Sequence, residues 1–259
     1  MQTRFGTQLS GRDRFDAIYQ SELDMEAEWL RRGAKDKVDS IEYFLSKYHI
    51  QPKNLIELGA GTGAVISECQ RRKLASHFTA VDFSTQALQY LKNSDHDIDL
   101  IQADITSENF RIETKHDVLI LSHVLEHLED PKPFLQAVRE RINFEYAIIE
   151  VPLEALFLAR LKAKVKDRSR NSAGHVQFFT TDTFESLISR SGFEIIDRRN
   201  YIPIPSIDTL RLVVRRHQMS TPRFLQMLFT RRLIPLAAST VWARFYYSHH
   251  AVLCRPLKR

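Results

Sequence analysis

Two periods of apolar spacing run through this chain, and together they lay out its elements. Residues 12–32 set Phe15, Ile18, Tyr19, Leu23, Trp29 and Leu30 at helical spacing, and residues 36–48 repeat the pattern with Val38, Ile41, Phe44 and Leu45, so two leading helices are expected. Pro52 marks the end of the second. Short apolar runs then appear at 55–58, 78–81, 98–102, 117–121 and 146–151, with segments of helical period at 64–73, 84–91 and 133–142 between most of them. Buried strands alternating with amphipathic helices predict an α/β domain built on a parallel sheet. Further helices are expected over 153–166 and 182–190, a sixth strand near 193–196 and a seventh over 247–254.

The chemistry concentrates where the first strand ends. Leu55-Ile56-Glu57-Leu58 runs into Gly59-Ala60-Gly61-Thr62-Gly63, and a helix begins near Ala64. Glycines permit a tight turn and a close ligand approach, and a helix start offers unpaired N–H groups. A strand, glycine turn and helix in this order form a nucleotide-type cofactor site. Gly59 to Ala64 also fits the dinucleotide fingerprint, with Asp82 about where a ribose-binding acid falls, so a nicotinamide-dependent oxidoreductase is one reading. Glu57 argues against it. A pyrophosphate gains nothing from a carboxylate beside the first glycine, whereas an ammonium or a sulfonium does.

A second motif invites a metal. His123-x-x-Glu126-His127 matches a zinc-peptidase pattern that puts two histidines on one helical face. That pattern needs a long helix and a further ligand, yet this segment follows a strand and meets Pro131 and Pro133, so no metal is expected from it.

Glu57-x-Gly59-x-Gly61-x-Gly63 resembles motif I of the class I S-adenosylmethionine-dependent methyltransferases. Ser122-His123-Val124-Leu125-Glu126-His127-Leu128-x-Asp130-Pro131 is similar to the segment after strand four in the small-molecule, ubiquinone-biosynthesis type. Gly174-His175-x-x-Phe178-Phe179-Thr180 and Gly192-Phe193-Glu194-Ile195 extend the resemblance across about 55–193. It implies a seven-stranded Rossmann-like α/β sheet with strand seven antiparallel, N-terminal helices, and a helical insertion between strands six and seven. Residues 1–50 would be a helical cap, 51–202 with 247–259 the S-adenosylmethionine-binding core, and 203–246 a basic insertion acting as a lid.

The same resemblance assigns S-adenosylmethionine as cofactor and distributes its contacts. Glu57, Gly59, Ala60, Gly61 and Gly63 would form the turn around it. Asp82 would accept both ribose hydroxyls and Phe83 would lie against the adenine. Asp104 and Ile105 would meet the adenine edge, and Ser122 and His123 the methionine end. Tyr19, Trp29 and His175 are the substrate-side candidates. His175 and His123 are the catalytic candidates, since a histidine suits general-base work near neutral pH. Packing alone would also account for Tyr19 and Trp29, and a helix-start role for Asp82.

Charge changes the picture for partners. From Arg198 onward twelve basic residues face one acid, Asp208, a surplus of +11. The net charge is +5, so the preceding part carries −6. Within the insertion Arg223, Arg231 and Arg232 interleave with Phe224, Leu228 and Phe229, the composition of an interfacial helix on anionic membrane. An RNA methyltransferase, or a non-catalytic module that binds S-adenosylmethionine, would use the same basic tail. Nucleic acid is the weaker of these partners: no Asn/Asp-Pro-Pro-aromatic motif follows strand four, which argues against base methylation and leaves RNA ribose methylation open. Cys69 and Cys254 imply no disulfide framework, Met1 to Arg14 lacks an apolar leader, and 233–243 is too short to span a bilayer, so a cytoplasmic protein, peripheral at a membrane surface, is expected.

Overall fold

A computed structural model describes residues 11–94, 97–153, 174–216, 218–238 and 248–257. Its centre is one seven-stranded sheet of order β3-β2-β1-β4-β5-β7-β6. The strands are β1 (Asn54–Leu58), β2 (His77–Asp82), β3 (Ile98–Gln102), β4 (Ile112–Ser122), β5 (Ile142–Leu153), β6 (Phe193–Tyr201) and β7 (Ser248–Pro256). Strands β1 to β5 run parallel, and β7 is antiparallel to both β5 and β6. The order reverses between β1 and β4, so the crevice outside the carboxyl ends of these strands is where this topology binds ligands.

The helices are α1 (Gly11–Ser21), α2 (Leu23–Lys47), α3 (Ala64–Arg71), α4 (Thr85–Ser94), α5 (Pro131–Arg141), α6 (Thr181–Arg190), α7 (Ile207–Arg216) and α8 (Thr221–Leu228). The break between the two leading helices falls at Glu22, well before the place read from the sequence. Gly33 instead sits inside a continuous α2, tolerated because Ala27, Ala34, Val38, Ile41, Phe44 and Leu45 bury one face around it. Strands β4, β5 and β6 are longer than their apolar runs, since their outer ends pair while facing solvent. The helix expected over 153–166 lies almost wholly outside the described residues, as do 239–247 at the end of the insertion.

Each face of the sheet buries its own cluster. One gathers Ile56, Leu58, Leu119, Leu121, Ile149, Val151, Phe184 and Phe193. The other gathers Leu55, Val118, Ile120, Ile148, Ala251 and Leu253 beneath Ala34, Val38, Ile41 and Phe44 of α2. Glu57 is paired with Ile120 across the sheet, and Glu150 follows Ile148 by two. Both acids therefore belong to the face that α2 covers. Arg199 of β6 donates to Ser40 Oγ (2.7 Å) and Lys47 meets Asp197 (2.7 Å), which tie α2 to that edge.

Candidate active site

The glycine turn is held between two buried acids. Gly59, Gly61 and Gly63 all take positive φ, and Gly63 heads α3 in the left-handed conformation with no side chain to cap it. Glu57 caps the helix in its place. Its Oε2 accepts the Ile66 N–H at 3.0 Å, an otherwise orphaned donor of the first turn. Asp82, at the end of β2, accepts Gly61 N–H at 2.7 Å through Oδ2 and Ser84 N–H at 2.9 Å through Oδ1. Ser84 in turn caps α4, its Oγ accepting from Ala87 N–H. The amides of Gly59 and Ala60 both donate to the Val81 carbonyl, so the turn is fixed from within before any ligand arrives.

Burial sets the charge state of Glu57. Desolvation pushes its carboxyl up to about 8, against the pull of the Lys37 ammonium and the Ile66 N–H. Lys37 is half-buried on α2, and burial lowers its ammonium although Glu150, Glu126 and Glu57 support the charge. Nothing local in the sequence marked Lys37. It comes to the site because α2 packs on the sheet face to which Glu57 and Glu150 belong.

The rim brings the other predicted residues together unequally. A Cβ on Gly59 would collide with Val124 at 2.8 Å and touch Ile105, so the turns after β1, β3 and β4 converge. Tyr19 is buried, and its hydroxyl would stand 2.7 Å from a Cβ on Gly61, which puts α1 across the glycine turn. Phe83 is half-buried, while Asp104 Oδ1 accepts the Thr106 N–H and hydroxyl within its own loop. Trp29 stands 36% exposed on α2. Thr62 Oγ1 in the turn and Ser122 Oγ at the end of β4 are buried with no hydrogen-bond partner among the described residues. Two orphaned hydroxyls on neighbouring strand ends fit a polar ligand lying across them.

His123 follows β4 with φ of +59°, a strained position for a non-glycine residue. Nε2 lies 3.2 Å from Glu150 Oε1 and 3.2 Å from His249 Nδ1, and Nδ1 lies 3.3 Å from Glu126 Oε1. Tyr201 donates its hydroxyl proton to Glu150 Oε1 at 2.7 Å. Burial and the Lys37 charge push His123 well down, so its ring is neutral. Burial would raise Glu150, but the hydrogen bonds from His123 and His249 reverse this and hold it ionised.

His127 and His175 meet edge-on at 5.0 Å, and Phe15 of α1 covers His127. His127 Nδ1 donates to the Gly174 carbonyl, while burial and His175 push it down to about 3. Glu126, His127 and His175 each bring a ligand-type atom within 4.8 Å of one another, as do His123, Glu150 and His249. Glu150, Tyr201 and His249 escaped sequence reasoning altogether, since no motif joins positions on three separate strands.

Of the basic insertion, α7 buries Leu210 and packs on α2. Beyond it Leu225, Phe229, Leu233 and Leu236 remain 48–59% exposed at helical spacing. Arg223 and Arg231 are exposed beside them, whereas Arg232 is half-buried and donates to the Pro205 carbonyl. No described helix is long and apolar enough to cross a membrane.

Comparison with known proteins places this chain in a family. A family model described as a methyltransferase domain matches residues 27–198. The mitochondrial ubiquinone biosynthesis O-methyltransferase of Schizosaccharomyces pombe is 28% identical over 127 residues, which cover 46% of this chain and 45% of that protein. The matched stretch thus spans less than half of this relative. Among solved structures, a SAM-dependent methyltransferase from Thermotoga maritima superposes with a TM-score of 0.58 at 14% identity, covering 94% of this chain and 100% of the other. The N-methyltransferase NodS from Bradyrhizobium japonicum, in complex with S-adenosyl-L-homocysteine, gives 0.52 at 12% identity and covers 87% and 88%.

Proposed function

We propose that this chain, which belongs to the methyltransferase domain family, transfers the methyl group of S-adenosylmethionine to a small, lipid-like acceptor. The observation that carries the reading is the glycine turn clamped between Glu57 and Asp82, with orphaned hydroxyls on either side. S-adenosylmethionine supplies a methyl carbon already activated by its sulfonium. The residues present fit it. Asp82 brings two carboxylate oxygens, the chemistry that suits a vicinal diol, to the end of β2, Glu57 offers a carboxylate to a cationic end, and Lys37 is an ammonium within reach of that same cluster.

What the chain contributes beyond binding is position and dryness. Holding a nucleophile in line can supply on the order of 7–11 kcal/mol. Tyr19 and Phe15 of α1 close the rim over Gly61 and His127, keeping water from the reacting atoms. His127 is a poor base because burial depresses it, and His123 is engaged with Glu150 and His249. His175 is therefore the base on the acceptor side, half-buried beside Gly174 at the same rim. Its removal should leave cofactor binding intact and slow turnover about 100-fold or more near neutral pH. The deficit should shrink as the acceptor ionises at higher pH.

Support for a lipid-like acceptor comes from the exposed stripe Leu225, Phe229, Leu233 and Leu236 flanked by Arg223 and Arg231. Each arginine near anionic lipid contributes about 1 kcal/mol. Equilibrium dialysis with labelled S-adenosylmethionine, followed by flotation with anionic and neutral vesicles, tests both levels. Absence of cofactor binding sinks methyl transfer. Cofactor binding without salt-sensitive flotation on anionic vesicles sinks the lipid-like acceptor, and preferential binding of duplex RNA at matched salt would replace it.

A further inference from the structure

Four neighbouring strands send one side chain each to a single point beneath α2. His123 follows β4, Glu150 lies on β5, His249 on β7 and Tyr201 on β6. His123 Nε2, Glu150 Oε1 and His249 Nδ1 form a triangle with every edge 3.2 Å. Tyr201 Oη stands 2.7 Å from the carboxylate oxygen and 3.0 Å from His249 Nδ1.

Hydrogen bonding alone cannot fill these five contacts. Each of the two ring nitrogens carries at most one hydrogen and the phenol one, so at most three protons are available. At least one edge of the triangle must then set lone pair against lone pair or N–H against N–H, because Glu150 Oε1 only accepts and the two ring nitrogens cannot both donate to it and bond each other. A cation inside the triangle removes the conflict. Tetrahedral zinc, with bonds of about 2.0–2.1 Å, spaces its ligand atoms about 3.3–3.4 Å apart, close to the edges seen here.

The surroundings agree. Glu126 Oε1 adds negative charge 3.3 Å from the far nitrogen of His123. Glu126 and Glu150 together outnumber the Lys37 ammonium that faces them. Glu150 and His249 are 3% and 6% exposed, so the donors are held in place by the sheet itself. We infer that His123, Glu150 and His249 form a binding site for a divalent transition ion of the zinc type, with the fourth position open beside Tyr201. Three protein ligands and one open position make a site that takes up water or a substrate oxygen. Of the His-x-x-Glu-His sequence motif, this site takes only the first histidine as a ligand.

The test uses the full chain, stripped with a chelator and titrated with cobalt(II) alone. One equivalent per chain should give the intense visible bands of four-coordinate cobalt, and zinc should displace them. His249→Ala and Glu150→Gln should each weaken binding by more than about 100-fold. His175→Ala, in the neighbouring Glu126–His127–His175 group, should leave the bands unchanged. Wild-type protein that shows no such bands overturns the proposal, whether or not the variants fold. Bands that survive in folded His249→Ala but vanish in His175→Ala overturn it too, because the ion then belongs to the other group.

Discussion

Replacing Glu57 with Gln should stabilise the protein while weakening its grip on the cofactor. Glu57 is 2% exposed, and burial raises its carboxyl from 4.5 to about 8. Between these values the folded protein keeps a proton that the unfolded chain has released. Folding is therefore unpenalised by this group below pH 4.5 and loses stability as pH rises towards 8. At about 1.4 kcal/mol per pH unit, the loss accumulates to about 5 kcal/mol by pH 8. Glutamine keeps an oxygen for the Ile66 N–H and never ionises, so the variant escapes the loss. Urea unfolding of both proteins at pH 5, 6, 7 and 8 reads the difference directly, since all other titrations are shared. The stability gap should be small at pH 5 and widen steadily with pH in favour of the variant. Cofactor binding should show the converse: a cationic ligand takes the proton off Glu57, so wild-type affinity should climb by up to about tenfold per pH unit between 6 and 8 and stay flat in Glu57→Gln. Parallel unfolding curves for the two proteins across this range would refute the raised carboxyl and the reasoning built on it.

Asp82→Ala should cost about 2 kcal/mol or more of S-adenosylmethionine binding, the range of charge-assisted hydrogen bonds, and should loosen the turn by unpairing the Gly61 and Ser84 amides. Calorimetry showing unchanged affinity in a folded variant would remove the ribose assignment. Gly63→Ala forces a Cβ into Leu91 at a φ of +76°, so it should lower stability by about 2 kcal/mol, read as a fall in the urea midpoint.

The residues that follow one another locally were legible from sequence. Glycines at alternate positions after an apolar run, an acid two residues before the first, and Asp82 at the end of the next run are all consequences of short-range backbone geometry. The same holds for the order of strands and helices, which hydrophobic period and turn residues dictate almost without reference to the rest of the chain. Apolar spacing set the boundary between α1 and α2 near 32–36, whereas the break falls at Glu22 and Gly33 lies inside α2. Packing of one α2 face on the sheet outweighs the roughly 1 kcal/mol that a glycine costs in a helix.

Tertiary structure alone decided the cluster beneath α2. Lys37, Glu150, Tyr201 and His249 lie far apart in the chain and meet because β7 inserts antiparallel between β5 and β6. Register then chose between adjacent histidines. His249 pairs with Tyr201 and Pro152 and joins the face of Glu150, while His250 pairs with Asn200 and turns to Glu185 on the other side. A strand alternates its side chains with period two, so a shift of one residue would have exchanged them. The sequence states that two histidines stand side by side; only long-range pairing determines which of them reaches the site.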